Sequence, residues 1–407
     1  MRLPIIWVVS AVGLGACIWE FSSVLSVDGV HSISTVSRDG GDGGSAPDGS
    51  LRDSGVNDAG LTATAHLLDI FVPDASAEDA YSFTVTVDDD GTMSGSWQNV
   101  GANRANYTFV ADGDGKLSAF IEEGGHNIRS VRAANRELLC GFVNPDQGGV
   151  SVAVVDYSDG GRRVILDRAI DAGLVDPRMP SSCHRRNSQG TVLLAPWATQ
   201  AIVFSDGGIK LLRYPAGDGG RDITGSSLSE NGEVVGSVTN CFGLTPQVET
   251  PCPVYVNGDA YTLVKSEGRQ AVVRAINSKG EMAGDGVDVE SRHMAIYWAS
   301  KDGSPVYLPL TDGYDVTYEV TGISTDGIIV GTTFDYEEER RGVTIWYQQR
   351  PYVLDSLVSV PGCRVTDSWS INSSNRIAVA LACQVPASDG GTVTRSRAGY
   401  VDVSLPR

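Results

Sequence analysis

Apolar residues along this chain fall in short alternating runs broken every few positions by Gly, Asn, Ser and Asp. From Ala271 the sequence reads "AVVRAIN", the turn "SKG", "EMAGDGV", a polar loop, "HMAIYWA", the turn "SKDG" and "PVYLPL". A period of two buries one face of an extended segment, whereas an amphipathic helix needs apolar positions three and four apart. Four antiparallel strands joined by tight turns are predicted here. Asn or Ser opens such a bend with a side-chain hydrogen bond to the backbone, and Gly280 can take a positive φ at little cost.

The turn phrase recurs. Aligned on "AINSKGEMAG" from Ala275, the copies are "TVDDDGTMSG" from Thr86, "RAANRELLCG" from Arg132, "RRNSQGTVLL" from Arg185, "SLSENGEVVG" from Ser227, "GISTDGIIVG" from Gly322 and "SINSSNRIAV" from Ser370. Successive starts lie 42 to 53 residues apart. Strand-like repeats of about 40–50 residues mark propeller blades rather than helical solenoids. The predicted fold is all-β: a seven-bladed β-propeller of four-stranded antiparallel blades over residues 61–407, with almost no helix outside the N-terminus. In the last copy Asn375 replaces the turn glycine, and Asn also tolerates positive φ. A second glycine, at 236, 284 and 331, lies inside a strand and lets another backbone come close, expected to be that of a neighbouring blade. Trp298 and Trp346 are expected to pack between blades.

A ring must join its last blade to its first. The final segment "AGYVDVSLPR" reads as a short last strand, while "LTATAHLLDIFV" (Leu61 to Val72) is apolar and precedes the first repeat without a partner. It is expected to form the outer strand of the last blade and so remove an unpaired edge.

Ahead of this lie one Arg, an apolar run from Leu3 to Ala16, and Cys17. The run is too short to span a bilayer comfortably and reads as a secretory signal. Leu14-Gly15-Ala16-Cys17 resembles the bacterial lipobox. That resemblance implies a signal peptide over residues 1–16 and a mature chain acylated on Cys17, with Ile18 pointing to the outer membrane, on its periplasmic side or at the cell surface. An ordinary cleaved signal with an incidental cysteine is the alternative. Residues 17–60, rich in Gly, Asp and Ser, read as a lipidated N-terminus and flexible linker.

The phrase A-I-N-x-x-G-x-V-V-G, followed by an aromatic strand, resembles the HAF-type extracellular repeat of bacterial proteins. "HMAIYW" (His293 to Trp298), "GVTIW" (Gly342 to Trp346) and "PVYV" (Pro253 to Val256) stand where that family carries His-Ala-Phe-x-Trp. The resemblance covers about residues 81–407 and implies a secreted propeller, with no catalytic signature to carry over.

A formal charge of −19 argues against nucleic acid, whose binding draws on clustered Lys and Arg. Leaving Cys17 aside, six of the seven cysteines remain, an even number suited to an oxidising compartment. Cys241 and Cys252 flank one loop symmetrically, and Cys363 and Cys383 lie almost equally far from a turn near Ser373, so register predicts both pairs. Cys140 and Cys183 are then either paired by elimination or two free buried thiols. Their spacings suit no zinc site, and no metal or cofactor is expected.

Phosphate-loop, nucleophile-elbow and zinc-helix motifs do not occur. His184, beside Cys183, reads as a surface imidazole, and Asp88, Asp89 and Asp90 occupy a turn. The loops between second and third strands vary in length and share one end of the fold, where binding residues concentrate over a rigid scaffold. Trp97, Arg104, Arg292, His293 and Tyr336 are the candidate ligand contacts there. The expected function is binding of an envelope protein or a glycan; a polysaccharide hydrolase or lyase working in the channel, or a structural envelope subunit, are the alternatives.

Overall fold

The computed structural model describes residues 60–68, 70, 80–99, 106–122, 127–134, 138–144, 151–156, 162–163, 181–196, 200–205, 208–215, 220–238, 241, 251–386 and 390–406. Every sheet is an antiparallel meander: sheet 1 over residues 80–122, sheet 2 over 127–163, sheet 3 over 181–263, sheet 4 over 271–307, sheet 5 over 316–353, and sheet 6 over 363–404. The first strands are Ala80–Val87, Asn127–Ala134, Ser181–Arg186, Arg221–Leu228, Ala271–Ile276, Val316–Ile323 and Cys363–Ile371. Each touches the next, and the last touches the first. Sheets radiating from a closed ring of first strands make the molecule a β-propeller.

Sheet 3 departs from the expected pattern of separate four-stranded units. It has eight strands, because Gly208–Tyr214 and Arg221–Leu228 meet at Arg213↔Asp222 and Tyr214↔Arg221. The Arg213 guanidinium lies 3.1 Å from the Asp222 carboxylate at this seam.

Closure occurs in sheet 6. Thr62–Leu67 pairs antiparallel with Thr392–Ser404, from Thr62↔Ser404 to Leu67↔Gly399, and forms the outer strand as expected. The final strand is not short, however. It runs thirteen residues and is the third strand of its sheet, so the closing strand has a long partner.

The core lies between neighbouring sheets. Leu61, Ala63 and Ala65 of the closing segment share a cluster with Val379, Leu381 and Val401 of sheet 6 and with Val330 and Ile345 of sheet 5. Ala378, Ala398 and Tyr400, from the other face of sheet 6, pack on Met93, Trp97 and Phe109 of sheet 1. Trp298 joins Val235 and Tyr255 across the next sheet boundary, and Trp346 joins Ala275 and Ala283, as expected of packing between sheets. Their indole N–H groups donate to Lys265 O and Pro309 O at 2.8 Å, tying each ring to the connection between sheets. A single turn of helix, Leu354–Leu357, buries Leu354 against the same core as the closing strand.

Two disulfides form where register places them, Cys241–Cys252 and Cys363–Cys383, the latter between directly opposed residues. Cys140 and Cys183 lie on strands of sheets 2 and 3, but their side chains fall outside the described set, as does Cys17.

Candidate functional site

Every first strand carries a register shift, and in the six whose following turn is described it lies three residues before the turn's opening residue. The shifts fall between Gly225 and Ser227, Val273 and Ala275, Val320 and Gly322, and Ser368 and Ser370 in the four first strands from Arg221 onward. A bulge adds one residue, increases local twist and re-aims the added side chain. Ser226, Arg274, Thr321 and Trp369 are therefore turned out of the ladder at one level of the ring. Val85, Arg132 and His184 hold the same position in the other first strands.

The bulges also account for the glycines inside the second strands. Gly236, Gly284 and Gly331 pair with Gly225, Val273 and Val320, the residues just before the bulges. A Cβ on Gly284 would sit 1.8 Å from Val272 O, one on Gly236 1.9 Å from Thr224 O, and one on Gly331 2.6 Å from Glu319 O. The close approach is thus within one sheet, not between blades as the sequence suggested.

Charged groups gather at the bulges of sheets 4 to 6. Arg274 lies 2.8 Å from the buried carboxylate of Asp285 and 3.6 Å from Glu319 of the next sheet. The attraction of Asp285 holds the Arg274 guanidinium charged beyond its ordinary range. One sheet further, Arg341 stands 3.3 Å from Asp367 and 4.7 Å above the ring of Tyr318. Burial pushes the Asp367 carboxyl up, and Arg341 opposes that shift. Tyr318 occupies a second bulge, between Thr317 and Glu319, and is 47% exposed; Trp369 is 40% exposed. The first strands are the inner edges of their sheets, around the axial channel of the ring.

The turns close one mouth of this channel. Asn277 Oδ1 accepts from the N–H of Lys279 and Glu281, both at 3.0 Å, while its Nδ2 donates to Ser324 O of the next sheet at 2.8 Å. Similar links run from Ser188 N–H to Glu230 Oε2, from Asn231 Nδ2 to Ser278 O, and from Asn375 Nδ2 to Asp326 Oδ2. Across the seam, Ser373 N–H donates to Asp89 Oδ1 at 2.7 Å, so Asp89 fastens two sheets besides serving its turn. Asn375 does take positive φ, at 65°. The third strands brace the belt: Tyr255 and Tyr297 donate to Glu233 and Glu281, and burial with these carboxylates pushes each phenol up to about 12. A small hollow of about 20 Å³, open to solvent, remains at this mouth, lined by Asp89, Arg185, Glu230, Ser278, Thr325 and Ser373.

The opposite end carries the candidate loop residues. Arg292 and His293 are exposed at the loop between the second and third strands of sheet 4, with Arg292 held 2.8 Å from Asp288 and 3.1 Å from Glu290. Tyr336 occupies the matching loop of sheet 5, 64% exposed and edge-on to Phe334 at 5.1 Å. Val289, 74% exposed, stands beside Arg292 and was not singled out by sequence. Trp97 is not at this rim. It is 5% exposed, because its strand continues to Asn99 and turns the indole into the core against Phe109. Arg104 lies outside the described residues. Sequence reasoning also missed Arg274, Tyr318, Glu319, Asp367 and Trp369; Gly284, opposite the bulge at Arg274, was an available signal for the first, whereas threonines face the bulge at Tyr318 and Val379 and Ala378 face that at Trp369.

No family model matches the chain, and no curated protein matches it. Solved structures do resemble it in fold. The β-propeller domain of the trilobed protease from Pyrococcus furiosus, described as having an open velcro topology, is 9% identical, with 78% of this chain and 95% of that one covered and a TM-score of 0.53. The acylaminoacyl peptidase from Pyrococcus horikoshii is 9% identical, with 77% and 52% covered and a TM-score of 0.50, so this chain spans about half its length. Identity at this level speaks to the propeller fold alone. In this chain the last sheet contains the closing strand Thr62–Leu67.

Proposed function

We propose that this chain is a seven-bladed propeller, anchored in a bacterial outer membrane by acyl chains on Cys17, that binds an envelope protein or a glycan without turning it over. The blade count treats sheet 3 as two blades, since only two residue pairs join its halves while each half touches its neighbours through its own first strand. Two disulfides suit an extracytoplasmic compartment. The resemblance to HAF-type repeats and to the lipobox agrees with the same location.

One observation carries the binding reading: Val289 and Tyr336 stand at matching loops of adjacent sheets, exposed by 74% and 64%, on hairpins whose strands are core. Exposed apolar groups clustered beside polar ones mark interaction surfaces, and a rigid scaffold lowers the entropic cost of presenting them. Cross-linking and pull-down from envelope extracts tests the reading. A stoichiometric partner or glycan retained by the wild type and lost by a Val289→Ser, Tyr336→Ala variant with unchanged melting supports it. Equal retention by both proteins, or measurable turnover of the ligand, refutes it. Labelling with a fatty-acid analogue that disappears in Cys17→Ser is the expected result for the anchor; labelling that persists contradicts it.

A further inference from the structure

Of the four large apolar side chains exposed among the described residues, two stand on the loop face and two, Tyr318 and Trp369, on neighbouring first strands, the inner edges of their sheets. Both occupy bulges that turn them out of the ladder. At the level of Trp369 the bulges in the three preceding first strands carry Ser226, Arg274 and Thr321. Planar polar groups stand along the same strands: Arg341, fixed on Asp367, lies over the Tyr318 ring, and Arg274 is fixed between Asp285 and Glu319, the residue after Tyr318. Between them Thr321 Oγ1 and Ser368 Oγ share a hydrogen bond at 3.1 Å.

Such a wall suits a ligand with a flat C–H face for an aromatic ring and rows of hydroxyl groups for carboxylates and guanidinium groups, and a pyranose has both. Three carboxylates, Asp285, Glu319 and Asp367, outnumber two guanidinium groups here, and the chain as a whole carries −19. A uronate or phosphorylated sugar would be repelled. We propose that the channel wall at Tyr318 and Trp369 is a binding site for a neutral oligosaccharide, seated against the Trp369 ring with its hydroxyls toward Glu319 and Arg274. This rests on reading the chain as a binder but not on the loop face.

Calorimetric titration of the purified soluble chain with cello-, chito-, xylo- and manno-oligosaccharides, and with oligogalacturonate and an extended peptide as probes, tests the proposal. One neutral series should bind, Trp369→Ala should weaken it at least about tenfold, and Trp369→Phe should keep affinity within about threefold. Tyr336→Ala should leave it unchanged, and melting curves establish that each variant is folded. Binding of none of the neutral series, preference for oligogalacturonate or peptide, or indifference to Trp369→Ala overturns the site. If no sugar binds while the envelope partner is still lost on changing Val289 and Tyr336, this inference falls and the loop-face reading stands; sugar binding at Trp369 with an empty pull-down gives the reverse.

Discussion

The side-chain amide of Asn372 donates to the backbone carbonyl of Asp88 at 2.9 Å, joining the turn of the last sheet to the turn of the first across 284 positions of sequence. Its Oδ1 meanwhile accepts from the N–H of Ser374 and Arg376, capping its own turn. Serine at the matching position, Ser324, still caps a turn through Ile328 N–H. Asn372→Ser should therefore lose the link and keep the cap, costing about 1 kcal/mol, and Asn372→Ala should cost about 2 kcal/mol by losing both. Urea denaturation followed by tryptophan fluorescence measures both; equal stability of the two variants would contradict the division of labour.

Two glycines four residues apart in sequence serve different ends. Gly280 has φ of +78° with nothing within 4 Å of its missing Cβ, whereas a Cβ on Gly284 would meet Val272 O at 1.8 Å. Gly280→Ala should cost about 1–2 kcal/mol through backbone strain. Gly284→Ala should cost roughly 3 kcal/mol or more, because the bulged strand must move. Equilibrium unfolding of the pair checks the order.

His66 links closure to pH. Its ring stacks on Tyr400 at 4.4 Å, its Nε2 lies 3.5 Å from Asp402, and Arg376 covers the Tyr400 ring at 4.2 Å and also holds Asp402. The Nδ1 atom is buried without a partner. Burial lowers the His66 pKa below the ordinary 6.5, and Arg376 adds to this while Asp402 opposes it. The unfolded chain then binds the proton more readily, so this contribution to stability is present above the ordinary value and is lost as pH falls through it toward the folded one. His66→Phe keeps a stacked ring and should flatten the slope of melting temperature between about pH 7 and 5. A wild-type slope that persists in the variant would contradict the role.

Much of the architecture was legible because each repeat states the same local chemistry. Asn277 and Gly280 announce a turn by side-chain capping and positive φ, and Cys363 and Cys383 fall opposite one another once the turn near Ser373 fixes the register. The apolar alternation of Leu61, Ala63 and Ala65 likewise marks a strand buried on one face. The channel site was hidden because a bulge keeps a strand apolar on one face while turning one residue out of register. Arg274, flanked by the buried Val273 and Ala275, reads as an ordinary outward-facing residue. Trp97 was misplaced for the opposite reason: nearness to a loop in sequence says little about a side chain whose strand extends two residues further. The seam at Arg213 and Asp222 rests on two residue pairs, too short a feature to leave an alternation pattern.

Thr62–Leu67 completes sheet 6, and removing residues 61–72 would take away the buried Leu61, Leu68 and Ile70, each worth about 2 kcal/mol when buried, and uncover the faces of sheets 5, 6 and 1 they pack on. Differential scanning calorimetry of a chain lacking residues 61–72 tests this most directly. A single cooperative transition lowered by roughly 5 °C or more is the predicted result. A transition at the wild-type temperature would contradict closure by this strand.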